Sequence, residues 1–383
     1  NGNTSSYQTL HTVSAQLANY FTELGLTQGD RIAVQVKKSP EALWVYLAAL
    51  RAGLVYLPLN TAYTAAELEY FVSDAKPSLL ICDPSSLAIF QTLADNGLAN
   101  TGEPIALETL GEAGEGSLIK QAALCNIDFT NTICEGSDLA AILYTSGTTG
   151  RPKGAMLTHQ NLSSNAQSLS EIWGWQADDV LLHALPLFHV HGLFVACHCV
   201  LAAGASMIML PSFQPSKIIE QLPNATVMMG VPTFYTRLLA DPALTPDVCR
   251  SVRLFISGSA PMLESTHKAF QKMTEHAILE RYGMTETGML TSNPLNAERR
   301  IGTVGLPLPQ VQVRVCDINN TPLAAGQIGV VQVKGPNVFK GYWDLPEKTA
   351  EEFTADGFFI TGDQGVLSDD GYLTIVGREK DMV

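Results

Sequence analysis

The sequence predicts an α/β protein: two layered, mostly parallel α/β subdomains, followed by a small antiparallel, β-barrel-like subdomain. Two observations carry this expectation. Up to about residue 300, helical patterns alternate with short β-branched runs, the signature of crossover units and parallel pairing. Beyond residue 302 the helices thin out, and short strands follow one another through Gly, Asp and Pro turns. The expected organisation is an α/β core over 1–301, a β-rich subdomain over 302–376 and a charged linker over 377–383.

The elements can be justified in order. "SYQTLHTVSAQLANYFTELG" repeats apolar residues at helical spacing and stops at Gly25, a C-cap residue. "DRIAVQV" then reads as a strand, "PEALWVYLAALRAG" as a helix and "PSLLICD" as another strand. Further strands are expected at "LAAILYT", "DVLLHALP", "SMIMLPS", "ATVMMGVP" and "VRLFISG". In the β-rich part, "VQVRVCD", "GVVQVKG", "GFFITGD", "GVLSDD" and "GYLTIVG" read as five short strands.

Composition narrows the function. Of 383 residues, 46% are hydrophobic and 16% charged, enough for a large buried core. A net charge of −14 argues against nucleic acid or an anionic membrane as the main partner. An anionic ligand must therefore be held by a few local cations. The seven cysteines form no CxxC pair and suit reduced thiols in a cytosolic protein. Cys197, His198 and Cys199 lie in an apolar run without a second ligand pair, so packing is the better reading than metal. No apolar stretch is long enough for a membrane span. "NGNTSSYQTL" lacks the layout of a signal peptide and reads as a chain entered just before its first helix, which leaves an upstream segment open.

The stretch with the most chemistry is "YTSGTTGRPKGAMLTH", residues 144–159. A strand followed by a Gly/Ser/Thr turn offers backbone N–H groups and hydroxyls to an anion. Lys153 adds a mobile charge behind Pro152. The P-loop of nucleotide triphosphatases needs G-x-x-x-x-G-K-[ST]; here Gly154 follows Lys153, so that pattern fails.

With "TSGTTGRPKG" the chain resembles the adenylate-forming superfamily of acyl-CoA synthetases, luciferases and peptide-synthetase adenylation domains. The resemblance covers essentially the whole chain, because other motifs follow in the family's order. They are "LPLFHVHG" (185–192), "SGSAPM" (257–262), "YGMTET" (282–287), "GYW" (341–343), "TGD" (361–363) and "GREKD" (377–381).

The resemblance implies a reaction and a set of roles. A carboxylate attacks the α-phosphorus of ATP to give an acyl-adenylate and pyrophosphate, and the thiol of CoA then displaces AMP. It implies that Thr145, Ser146, Gly147, Thr148, Thr149, Gly150 and Lys153 cradle the β- and γ-phosphates. Thr285 stands near the α-phosphate, and Glu286 is a Mg²⁺ ligand. Ser259, Ala260, Pro261 and Tyr282, with Gly283 and Met284 beside it, line the adenine; Asp363 and Arg378 take the ribose. His189 lies where carboxylate and α-phosphate meet, although a lone His on an apolar face is more often a core residue. Relatives continue into a small, rotating C-terminal domain that supplies a catalytic lysine; Lys380 matches the hinge, and that domain is absent from this chain.

Three residues bear on the acid. Arg281 precedes Tyr282, Arg237 lies on the helix of "GVPTFYTRLL", and His191 follows His189 by two positions. An arginine fork suits a carboxylate, so two converging arginines fit a small dicarboxylic acid. "LFHVHGLF", "ERYGMTET" and "GTVGLPLP" resemble the malonate-activating branch of the family, with methylmalonate as a second substrate. The alternatives are an outward Arg237 paired with Asp241, an Arg281 bracing Glu280 or a carbonyl, and hence a monocarboxylic short-chain or aryl acid. A module that loads a carrier protein and a non-catalytic nucleotide-binding protein also remain. Arg299 and Arg300 are expected to be solvated. The expected partners are a small-molecule carboxylic acid, ATP and CoA, and the expected compartment is the cytoplasm, with the mitochondrial matrix as the alternative.

Overall fold

The structure, a computed structural model, describes residues 2–97, 102–145 and 151–378. The chain divides into two compact units. Unit 1 comprises Asn1–His159, Leu187–His189 and Lys340–Asp344; unit 2 comprises Gln160–Pro186, Val190–Phe339 and Leu345–Val383.

Unit 1 is built on strands β1 (Arg31–Gln35), β2 (Val55–Pro58), β3 (Leu79–Cys82), β4 (Ala106–Thr109), β5 (Leu139–Thr145) and β6 (Lys153–Thr158). Their order is β6-β5-β2-β1-β3-β4, and all neighbours are parallel except the β5–β6 pair. β1, β2 and β3 are buried at every residue, as expected of a parallel sheet covered on both faces. The first helix, Tyr7–Glu23, is capped by the Ser6 side chain and ends just before Gly25, whose φ of +83° suits glycine.

Unit 2 repeats the plan with β7 (Val180–His183), β8 (Ser206–Met209), β9 (Val227–Gly230), β10 (Leu254–Ser257), β11 (Leu279–Met284), β12 (Gly288–Ser292) and β13 (Leu306–Pro307). Their order is β13-β12-β11-β10-β9-β7-β8. The strands from β11 to β8 run parallel, and β12 and β13 are antiparallel additions at one edge. Alternate residues of β10 feed two cores: Leu254 and Ile256 join Trp173, while Phe255 joins Tyr235 and Phe270.

The antiparallel part contains β14 (Gln312–Cys316) and β15 (Gly329–Lys334). Then β16 (Gly341–Tyr342) serves unit 1 as the edge partner of β6, and β17 (Phe359–Leu367) and β18 (Leu373–Arg378) follow. Strands β14, β15, β17 and β18 form an open four-stranded antiparallel sheet, not a closed barrel. Two strands expected as separate, "GFFITGD" and "GVLSDD", are one. An irregular register between Gln364 and Gly365 lets β17 run on to Leu367.

All seven cysteines are free thiols. Among the described residues no helix is long and apolar enough to cross a membrane.

Candidate functional site

In unit 1 the antiparallel pairing of β5 with β6 sets Thr145 opposite Lys153, with the Thr145 hydroxyl 3.4 Å from the Lys153 carbonyl. Ser146, Gly147, Thr148, Thr149 and Gly150, which join the two strands, lie outside the described residues. Both ends of that connection are braced. The Tyr70 hydroxyl donates to the Pro152 carbonyl at 2.8 Å, and the Tyr144 hydroxyl donates to Asp74. Trp343 Nε1 donates to the Asp74 carbonyl at 3.2 Å. Lys153 Nζ stands 3.9 Å from the centroid of the Tyr342 ring, on the β16 strand that pairs with β6. Tyr342 belongs to "GYW", a motif whose sequence suggests no role for it; pairing across the sheet brings it to Lys153. His189 is exposed, its ring 4.7 Å from that of Phe188, so it is no core histidine.

In unit 2 the motifs gather around the ends of β10, β11 and β17. Ser259, Ala260 and Pro261 form an exposed turn beyond β10. Ser259 holds a left-handed φ of +69°, uncommon for a residue with a side chain, and its Oγ lies 3.3 Å from His191 Nδ1. His191 is buried and opens a π-helical turn, His191–Cys197. Such turns concentrate at functional sites. Gly192 is needed there, because a Cβ would fall 1.9 Å from the Pro186 carbonyl oxygen.

Tyr282, Gly283 and Met284 finish β11, and Thr285 and Glu286 form the turn to β12. Glu286 is buried, and its carbonyl accepts from Phe339 N at 2.7 Å. Asn337 Nδ2 donates to the Thr287 and Met289 carbonyls, which ties this turn down.

β17 and β18 pair Asp363 directly with Arg378. Arg378 Nε lies 2.8 Å from Asp363 Oδ1, and the Tyr282 hydroxyl donates to Oδ2. Burial pushes the Asp363 carboxyl up, against the hydrogen bond from Tyr282 and the charge of Arg378. Three residues from three separate motifs thus share one contact.

Arg237 and Arg281 have different settings. Arg237 is exposed on helix Pro232–Leu239, with its guanidinium 4.9 Å from the Phe213 ring centroid; its partner is that ring, not Asp241. Arg281 is 3% exposed. Its Nε, Nη1 and Nη2 have no hydrogen-bond partner among the described residues, and neither has the buried hydroxyl of Ser257. Arg281 does not brace Glu280, whose carboxylate faces His267 Nδ1 at 3.1 Å. Burial lowers the guanidinium pKa to about 9. Arg299 is not solvated as expected: it is half-buried and donates to the Ala277 and Leu295 carbonyls. Arg300 forks onto Asp370 and covers the Tyr372 ring.

Tyr282, half-buried, and Arg378, exposed, meet on the buried carboxylate of Asp363, and family comparison identifies the fold. Residues 1–343 match the model of the AMP-binding enzyme family, and the chain belongs to that family. It is 36% identical over 394 residues to a malonate–CoA ligase of Arabidopsis thaliana, covering 96% of this chain and 62% of that protein. It is 34% identical over 409 residues to the mitochondrial malonate–CoA ligase ACSF3 of Homo sapiens, covering 96% and 69%. The ATP-bound crystal structure of MatB from Rhodopseudomonas palustris superposes with a TM-score of 0.96 at 53% identity, covering all of this chain and 75% of that one. A malonyl-CoA ligase solved with methylmalonyl-CoA and AMP superposes with a TM-score of 0.80 at 35% identity, covering 96% and 75%. The chain spans 64% and 62% of the length of two curated relatives, a probable CoA ligase of Humulus lupulus and the Arabidopsis protein.

Proposed function

We propose that this chain is the ATP- and acid-binding part of an acyl-CoA synthetase that activates malonate, with methylmalonate as a second substrate. The observation that carries the choice of acid is Arg281: a buried guanidinium with no hydrogen-bond partner among the described residues. An unpaired buried charge is costly, and a carboxylate is the partner its fork suits. Similarity to malonate–CoA ligases supports the same reading.

In the proposed reaction one malonate oxygen attacks the α-phosphorus of ATP, the bond to the β-phosphate oxygen breaks, and pyrophosphate leaves. The CoA thiol then adds to the acyl carbon of the adenylate, gives up its proton, and AMP departs. Catalysis of this kind rests on positioning and on offsetting negative charge.

Lys153 is assigned to the leaving pyrophosphate, with Thr145 and residues 146–150. Asp363 and Arg378 are assigned to the ribose, and Ser259, Ala260, Pro261 and Tyr282 to the adenine. Thr285 is assigned to the α-phosphate. His189 is assigned to the reacting carboxylate, and Arg281, Arg237 and His191 to the acid. Among the described residues no three His, Cys, Asp or Glu side chains gather as a metal cage. Mg²⁺ needs none when phosphates supply most of its oxygens, so the single buried carboxylate of Glu286 fits it. The ion would neutralise phosphate charge. The domain division at 301 and 376, and a C-terminal domain beyond the linker, belong to the same proposal.

Pyrophosphate release by the full-length protein tests it, with malonate, methylmalonate, acetate, hexanoate and benzoate compared. Malonate should give the highest kcat/KM. A preference for acetate or hexanoate would remove the dicarboxylate reading.

A further inference from the structure

Gly258 follows β10, one residue past the Ser257–Glu280 register of β10 with β11. Its backbone does not require glycine, for it is absent from the positive-φ residues of the chain. What it lacks room for is a side chain. A Cβ on Gly258 would lie 2.5 Å from Arg281 Cζ and 2.6 Å from both Nε and Nη1, separations that real Cβ atoms essentially never show. The guanidinium therefore rests against the bare Cα of Gly258.

This contact matters because hydrogen bonds do not fix the guanidinium. Its three nitrogens are without protein partners among the described residues. The fully buried Tyr235 spends its hydroxyl on the Ile256 carbonyl at 2.6 Å. Packing against the bare Gly258, not a hydrogen bond among the described residues, then limits where the charged group sits. On the open surface an arginine would swing away from an added methyl group; here the side chain is enclosed, and displacement must be taken up inside packed interior.

We infer that Gly258 is a specificity-determining residue: by omitting a Cβ it sets the depth of the Arg281 guanidinium, and with it the preference for an acid carrying a second carboxylate. Gly258 acts through Arg281, so it is a positioning residue, and the inference rests on the proposed role of Arg281. The unpartnered Ser257 hydroxyl next to it is a second polar group at the same strand end.

The test compares Gly258→Ala, Arg281→Met and the double variant in the full-length protein, with malonate and propionate as substrates. Gly258→Ala should lower the malonate-to-propionate ratio of kcat/KM by roughly tenfold or more, with the ATP KM nearly unchanged. The double variant should lose no more selectivity than Arg281→Met alone, because the glycine has nothing left to position. Met leaves space for the added methyl, so the double variant should also unfold at a higher temperature than Gly258→Ala. Additive losses, or an unchanged ratio in Gly258→Ala, would overturn the inference. Wild-type preference for propionate would instead sink the dicarboxylate reading. A crystal structure of Gly258→Ala decides the steric claim in either case: a guanidinium that has not moved overturns it.

Discussion

Lys153 and Tyr342 are almost two hundred positions apart in sequence, yet β6 and β16 pair so that the ammonium stands 3.9 Å from the ring centroid. A cation at that distance is held over the aromatic face, which restrains a flexible side chain before any phosphate arrives. Tyr342→Leu should keep the apolar packing and remove the restraint. The expected outcome is a rise in ATP KM of about 2- to 30-fold, from a cation–π contribution of about 0.5–2 kcal/mol. Steady-state pyrophosphate release checks it; an unchanged ATP KM removes Tyr342 from the positioning of Lys153.

The role proposed for Arg281 implies a trade between stability and selectivity. Its pKa is lowered to about 9 by burial, so the folded state without an anion carries the penalty of an unpaired charge at every pH below that value. Arg281→Met should therefore unfold at a higher temperature than wild type at pH 7, by an amount equivalent to about 1–4 kcal/mol. The advantage should shrink as pH rises above 9, where the folded wild-type protein has shed the proton and the unfolded one has not. The same variant should lose malonate selectivity. A variant that is less stable than wild type at neutral pH contradicts the unpaired charge.

Asp363 predicts a pH dependence of nucleotide binding. Its folded pKa is raised, chiefly by burial, so any stability from the neutral form is complete below about pH 4 and lost as pH rises through the folded value. Asp363→Asn should accordingly unfold at a higher temperature than wild type near neutrality, with the gap closing in acid. Its ATP KM should rise, since the anionic acceptor is gone. Wild-type ATP KM should climb on acidification before the ordinary aspartate range is reached, and the Asn variant should lack that climb. Parallel profiles for the two proteins would exclude Asp363 as the titrating group.

Ser259 combines a strained backbone with a hydrogen bond to His191. Ser259→Gly relieves the left-handed strain but drops the bond, whereas Ser259→Ala keeps the strain and drops the bond. Thermal unfolding should rank Gly above Ala, with a separation of about 1 kcal/mol. Both should lower malonate kcat/KM to a similar degree if the contact with His191 is what matters. A normal kcat/KM in the Gly variant would make the contact merely structural.

Local pattern explains which parts of this architecture were legible in advance. Buried parallel strands such as β1 and β3 are short apolar runs between helices, and their burial leaves little choice of assignment. β2, β6 and β16 are not legible from local pattern, because they are short or embedded in motifs that read as loop, and pairing with other strands is what makes them strands. "GFFITGD" and "GVLSDD" looked like two strands because glycine-rich sequence resembles a turn; an irregular register between Gln364 and Gly365 carries the strand through instead. Arg299 looked solvated because a charged doublet usually is, and only the fold offers it the Ala277 and Leu295 carbonyls.

Residue type and order determined the family, because "TSGTTGRPKG", "YGMTET", "TGD" and "GRE" follow one another in its order; the phosphate and sugar roles proposed for them are read from the same local groups. Tertiary structure alone decided which of those groups meet. The Asp363–Arg378–Tyr282 contact needs β17, β18 and β11 in place, and Arg237 and Arg281, equal candidates in sequence, part company: Arg237 is exposed over the Phe213 ring, and Arg281 is buried without a hydrogen-bond partner among the described residues. The physical reason is desolvation: a guanidinium costs little wherever water reaches it, and which arginine water can reach is a property of the packed fold.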